Sequence, residues 1–254
     1  MKASLDNRIA RAAELSQTYP SAASILSFYR ELALFQKSVS ADVQSNAVTD
    51  ARKLTGHFPP LLDLLRRIGP QQITDFGCEH LQNKSAQEEL LLGYWENGPP
   101  NELTGSETGR FFARVLLQPY AEYLATRRDI ASDRAEPTCP FCDARPVVAV
   151  LRGEGDGAKR SLLCSLCATE WQYRRVICPA CGEENKDKLP IYVASEFDYI
   201  RVDACDSCRI YIKSVDLTKN GHAVPVVDEI ATVPLNIWAE EHGYWKLEPN
   251  LLGM

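Results

Sequence analysis

The sequence predicts an α+β protein: an all-helical N-terminal domain, two small cysteine-rich β modules, and a C-terminal helix. Three observations carry that prediction. Apolar residues recur at helical spacing through the first half of the chain. Eight of the nine cysteines fall into four CxxC pairs between Cys139 and Cys208. Short β-branched or aromatic runs lie around and between those pairs. The corresponding division is 1–131 for the helical domain, 132–137 for a linker, 138–176 and 177–216 for the two modules, and 217–254 for the C-terminal helix and tail.

Taken in order, Leu5, Ile9, Ala12, Ala13 and Leu15 predict a first amphipathic helix over 4–17. Ser21 can cap a second helix reaching about Val39, with a wide apolar face from Ile25 to Phe35. A weaker helix is expected over 41–54. Pro60 can start a helix over Leu61–Ile68, stopped by Gly69-Pro70. Another is expected over 84–96, before a loop forced by Gly98-Pro99-Pro100. The strongest helical pattern runs from Glu107 to Ile130, and Pro119 within it should kink or split it. Its apolar stripe reads as core. Strands are expected at Val147–Leu151, Trp171–Ile177, Ile191–Ala194, Tyr199–Asp203 and Ile210–Val215. A hairpin tip is expected at 153–157 and a solvated loop at 183–188. Asp228–His242 reads as a helix interrupted near Pro234.

The four pairs are Cys139/Cys142, Cys164/Cys167, Cys178/Cys181 and Cys205/Cys208. Two cysteines two residues apart can point inward from one tight turn, and two such knuckles close a four-sulfur site around a metal ion. The gap from Cys142 to Cys164 is 21 residues, that from Cys181 to Cys205 is 23, and that from Cys167 to Cys178 is 10. Gaps of about 20 residues suit a rubredoxin-like or zinc-ribbon unit with a hairpin between knuckles. The spacing favours Cys139, Cys142, Cys164 and Cys167 as site 1, and Cys178, Cys181, Cys205 and Cys208 as site 2; interleaved pairing is the alternative. Arg160 and Arg201 each stand four residues before the second knuckle of their half, as in a degenerate repeat of about 40 residues. Four sulfurs fill every ligand place, so a structural metal is expected rather than a catalytic one with an open position. Tetrathiolate chemistry admits zinc or iron, and a redox or iron-delivery role stands beside the structural one.

The net charge is −6, and residues 139–216 carry 11 Lys+Arg against 12 Asp+Glu. That balance argues against a nucleic-acid-binding ribbon, which needs a basic face. The N-terminus lacks an apolar leader pattern, and no apolar run is long enough to span a bilayer, so a cytoplasmic protein is expected. Thiols in that reducing compartment serve as metal ligands or redox groups more often than as disulfides. A thiol–disulfide oxidoreductase using one CxxC is a competing reading. Cys78 stands near His80 but reads as a buried thiol, and His57, His222 and His242 are scattered. Neither phosphate-loop nor hydrolase motifs occur, and the chain is not expected to be an enzyme.

The runs CPFCDARPVVAV, RSLLCSLCATEWQYRRVICPACG and YIRVDACDSCRIYIKSVD closely resemble the formate dehydrogenase accessory protein (FdhE) family. The run Leu117–Glu122 and the helical N-terminal half are similar as well. The resemblance implies a helical domain followed by two rubredoxin-like modules, with iron associated with the cysteine sites. It also implies a cytoplasmic maturation factor that binds the formate dehydrogenase catalytic subunit and is not itself a dehydrogenase. Two departures stand out. Asp143 and Arg209 occupy positions after the first and fourth knuckles where the family usually has glycine, and the N-terminal half is shorter than in longer relatives. Aspartate tolerates positive φ better than arginine does, so strain is expected at the fourth knuckle. Trp171 and Tyr211 are expected as exposed aromatics of a partner surface.

Overall fold

A computed structural model of the chain describes residues 4–96, 101–128, 136–155 and 157–254. The loop expected at 98–100, most of the 132–137 linker and the centre of the 153–157 hairpin tip lie outside the described residues. Among the described residues no helix is long and apolar enough to cross a membrane.

Helix α1 (Leu5–Thr18) begins where Ser4 Oγ accepts from Asn7 N, a cap of about 1 kcal/mol. It packs along α2 (Ala23–Gln44). The helix expected over 41–54 does not form. Instead α2 runs on to Gln44, Asn46 turns the chain at positive φ, and Ala51–His57 makes a 3₁₀ segment. Helices α3 (Phe58–Ile68), α4 (Gln71–His80) and α5 (Lys84–Trp95) follow, then the single turn α6 (Glu102–Gly105) and the long α7 (Glu107–Thr126). Ser106 Oγ caps α7 through Gly109 N. Gly109 is obligatory, because a Cβ there would sit 1.7 Å from Leu103 O.

Of the kink or split expected at Pro119, the split does not occur: α7 runs unbroken from Glu107 to Thr126. Proline removes the N–H that would bond the carbonyl four residues back, which is that of Val115. Buried Gln36 of α2 supplies the missing donor: its Nε2 lies 3.0 Å from Val115 O and 2.9 Å from Gln118 Oε1. A side chain 79 residues away thus keeps the helix continuous.

The cysteine-rich half is one sheet. Its strands are β1 (Pro146–Glu154), β2 (Gly157–Cys164), β3 (Glu170–Gln172), β4 (Ile191–Val193), β5 (Ile200–Ala204) and β6 (Ile210–Asp216), in the spatial order β3-β2-β1-β6-β5-β4. Each half of the repeat is a three-stranded antiparallel meander. The halves join where β1 runs parallel to β6, with Ala149 opposite Ser214 and Leu151 opposite Asp216. A short β7 (Trp245–Lys246) pairs in parallel with the start of β6. The helix expected over Asp228–His242 with an interruption near Pro234 takes the form of α8 (Pro225–Ala231) and α9 (Val233–Glu241), broken at Thr232 and starting three residues earlier.

The run Val147–Leu151 is buried on both faces, as a central strand at a parallel junction requires. Ala149 and Leu162 face a core shared with α1, α2, α7 and α8, while Val148, Val150 and Leu163 face a second core with Leu235, Ala239 and Tyr244. The helical half and the sheet therefore have no core boundary between them. Buried ion pairs reinforce this union. Arg8 of α1 forks onto Glu122 of α7 at 2.8 and 3.0 Å. Arg11 of α1 forks onto fully buried Asp228 of α8, which also accepts from Tyr199 Oη and Val224 N.

Candidate metal centres

The eight sulfurs form two groups. Cys139, Cys142, Cys164 and Cys167 make one; Cys178, Cys181, Cys205 and Cys208 make the other; within each, every sulfur lies within 4.8 Å of the rest. Among the described residues no other group of three or more His, Cys, Asp or Glu side chains converges in this way. In both groups the first cysteine of one knuckle faces the last of the other. Cys139 lies 3.5 Å from Cys167, and Cys178 lies 3.7 Å from Cys208. The inner cysteines also meet, with Cys142 3.4 Å from Cys164 and Cys181 3.7 Å from Cys205. A regular tetrahedron with metal–sulfur bonds of about 2.3 Å has sulfur–sulfur edges of about 3.8 Å. Both groups fit that shape, and each can hold one four-coordinate ion. Among the described residues no disulfide joins these cysteines.

Local backbone geometry explains why the sulfurs converge. Cys139, Cys178 and Cys205 each donate N–H to the carbonyl five residues on (Ala144, Glu183, Ile210) at 2.9 to 3.0 Å, and each accepts at its own carbonyl from the residue four on. Cys164 N bonds Thr169 O at 2.9 Å. The residue after each knuckle has positive φ: Asp143 at 59°, Ala168 at 51°, Gly182 at 77° and Arg209 at 62°. The fourth knuckle thus carries the conformation expected to strain Arg209. Its side chain has other attachments. It bonds Gly243 O and His242 O beyond α9, pairs with Asp206, and lies 4.0 Å over the Tyr244 ring. Those contacts offset a left-handed cost of about 1 kcal/mol. Ala168 adopts the same region at the corresponding place after the second knuckle.

Packing four thiols together makes their titrations interdependent. Cys139 is held far below the ordinary thiol value by hydrogen bonds from Cys142, Cys164 and Cys167. Cys142, which hydrogen-bonds Cys139, is pushed up, and burial pushes Cys164 up. Four adjacent sulfurs cannot all ionise side by side without a cation among them. Backbone amides already point at them: Phe141 N at Cys139 Sγ, Leu166 and Cys167 N at Cys164 Sγ, and Ala180 N at Cys178 Sγ.

The helical half reaches the first group directly. Gln118 Nε2 donates to Ser165 O at 2.8 Å, and Arg114 bonds Ser165 O together with the carbonyls of Pro249 and Asn250. The repeat-related arginines meet at the module junction. Arg160 and Arg201 both pair with Asp203, at 3.5 and 2.8 Å, and Ser214 Oγ donates to the same carboxylate. The residues proposed from sequence as an exposed aromatic surface are in fact core. Trp171 and Tyr211 are each 1% exposed, because β3 and β6 turn those side chains onto the helical and α9 cores respectively. Cys78 is half-buried with Arg66 3.9 Å from its sulfur, while His80 packs on Phe76. His57 lies by Asp42, its pKa lowered by burial, and His242 stacks on Trp238.

Fold and site together define a class: a helical platform fused to a six-strand knuckle repeat that carries two tetracysteine centres. Residues 138–175 match the family model described as FdhE, central domain, and residues 176–252 match FdhE, C-terminal domain. A relative from Aquifex aeolicus, "Protein FdhE homolog", is 30% identical over 94% of this chain and 92% of its own length. A homolog of the same name from Pseudomonas aeruginosa is 34% identical over 48% of this chain and 41% of its own. The crystal structure of the FdhE protein from Pseudomonas aeruginosa shares the fold, with a TM-score of 0.68 at 24% identity over 99% of this chain and 97% of that one. The chain belongs to the FdhE family.

Proposed function

We propose that this chain is a cytoplasmic accessory factor for maturation of formate dehydrogenase, binding the catalytic subunit and performing no turnover of its own. The observation that carries this reading is the family relationship along nearly the whole chain, which includes the helical half as well as the cysteine-rich repeat. In this reading the eight cysteines ligate two ions, iron or zinc, with the ligand sets given above. The closed sulfur sets support it, because four protein ligands leave no coordination place for a substrate. The ions then hold knuckles in place, and recognition falls to protein surface. With Trp171 and Tyr211 in the core, exposed apolar side chains at the end of the first module, in the second module and in the C-terminal segment take that role: Val176, Ile191, Val193, Ile237 and Trp245. The working division at 131, 137, 176 and 216 names sequence segments that share a core, so the test uses the full chain.

The test is co-purification. The tagged chain should retain the immature catalytic subunit, and Val193→Asp with Ile191→Asp should weaken that retention at least tenfold without unfolding the chain. Unchanged formate dehydrogenase activity after deletion of the chain would refute the reading.

A further inference from the structure

The two centres share one local design but not one environment. In the first module the whole second knuckle, Cys164 to Thr169, is buried. Helix α7 covers it through the Gln118 and Arg114 bonds to Ser165 O. Cys139, Cys164 and Cys167 belong to the same apolar core as Leu117 and Ile230. Thr169 Oγ1 lies 3.1 Å from Cys167 Sγ. The corresponding knuckle of the second module has no such cover. Asp206, Ser207 and Arg209 are exposed around buried Cys205, and Cys208 is half-exposed. On the facing knuckle Ala180, Cys181 and Gly182 are all exposed. Cys181 is the exposed member among the eight sulfurs.

We propose that the second centre is the exchange site of this protein, with Cys181 as the ligand that opens it, while the first centre is a permanent part of the core. The proposal rests on the reading of the sulfur sets as metal ligands. Ligand exchange at a four-sulfur centre needs an entering thiolate or chelator to reach the ion along a path its own sulfurs do not block. Solvent reaches the second set at exposed Cys181, beside half-buried Cys208; in the first set Cys142 is the half-buried member, while Cys139, Cys164 and Cys167 are buried in the apolar core. In the exchange one metal–sulfur bond to Cys181 breaks and one bond to the entering donor forms. No electrons transfer, and the released Cys181 thiolate takes its proton from water. The partner class is a thiol- or chelate-bearing acceptor, and the same opening admits electrophiles that modify thiolates.

The full chain loaded with two equivalents of zinc would be challenged with excess EDTA, and zinc release followed with a chromogenic chelator. In parallel, N-ethylmaleimide pulses would be mapped by mass spectrometry. One equivalent should leave at least tenfold faster than the other, with label appearing first at Cys181 and Cys208 and last at Cys164 and Cys167. Cys181→Ser should speed loss of the fast equivalent and leave the slow phase unchanged. Release of both equivalents at one rate, or first labelling at site 1 cysteines, would overturn the proposal. A chain that takes up neither zinc nor iron would instead overturn the metal reading itself, and the exchange order with it.

Discussion

Replacing Asp228 with alanine should destabilise the whole chain, because this carboxylate fastens the first helix to the sheet. Asp228 is fully buried and accepts four bonds: from Arg11 Nε and Nη2, from Tyr199 Oη at 2.8 Å and from Val224 N at 2.7 Å. In Asp228→Ala the Arg11 guanidinium remains buried, keeping Glu14, whose side chain is largely exposed, and a long 3.4 Å bond to Tyr199 Oη. Breaking a buried pair from one side costs about 3–5 kcal/mol. The orphaned Val224 N–H adds about 1 kcal/mol, and the surviving Glu14 bond returns a similar amount. A loss of about 4 kcal/mol follows. Urea unfolding of the metal-loaded chain, followed by far-UV circular dichroism and by tryptophan fluorescence, measures it as a fall in midpoint. Both probes should report one transition in the parent chain, since helices and sheet share a core. Arg11→Met combined with Asp228→Asn removes both charges and should recover more than half of the loss. A loss below 1 kcal/mol, or separate transitions for helix and sheet signals, would refute the reasoning.

Three further predictions rest on single contacts. Gln36→Leu should cost about 1–3 kcal/mol by orphaning the Val115 carbonyl, but much less in a Pro119→Ala background, where the backbone N–H restored at that position can bond the same carbonyl; a double-mutant cycle in urea reads the coupling, and additivity would contradict it. Asp143→Gly should raise stability by up to about 1 kcal/mol by relieving positive φ, whereas Arg209→Gly should lower it, because the contacts to His242, Gly243 and Tyr244 outweigh the relief; thermal melts compare the two. Fully buried Glu229 is held down to about 2 against its burial by Lys213 and Lys246, while burial lowers Lys213 to about 8, its lone carboxylate partner offsetting only part of that cost. A depressed carboxylate stabilises fully above its unfolded value near 4.5, and that stability is lost as pH falls through the folded value near 2. The advantage of the parent over Glu229→Gln should therefore shrink by about 3 kcal/mol between pH 6 and pH 2, a difference that cancels acid release of metal common to both chains.

Features set by local sequence are legible without a structure. The apolar stripes of α1, α2, α3, α5 and α7 and the knuckle spacing depend on residues a few positions apart. Asp143, Ala168 and Arg209 each follow a CxxC knuckle, a position the sequence does mark; that Ala168 also takes positive φ is visible only in the backbone. Strand β2 escapes a sequence reading because Arg160–Cys164 runs straight into a knuckle, and its partner register is supplied by β1. The parallel junction of β1 with β6 joins residues some 65 positions apart, such as Ala149 and Ser214, and no periodicity encodes it. The same distance effect hides the Gln36 cap on Val115 and the attachment of α7 to Ser165. Trp171 and Tyr211 read as surface residues because strand alternation gives no hint that both faces of this sheet are covered.

The central claim is that this chain carries two complete tetrathiolate centres, one in each half of a fused repeat. Metal content of the chain purified without oxygen tests it most directly, alongside Cys178→Ser/Cys181→Ser and Cys164→Ser/Cys167→Ser variants. The account predicts two equivalents of iron or zinc in the parent. The first variant should retain one equivalent in a folded chain, and the second should lose its ion together with much of its stability. A parent chain with no tightly held ion, or a site 2 variant that still holds two, would contradict it.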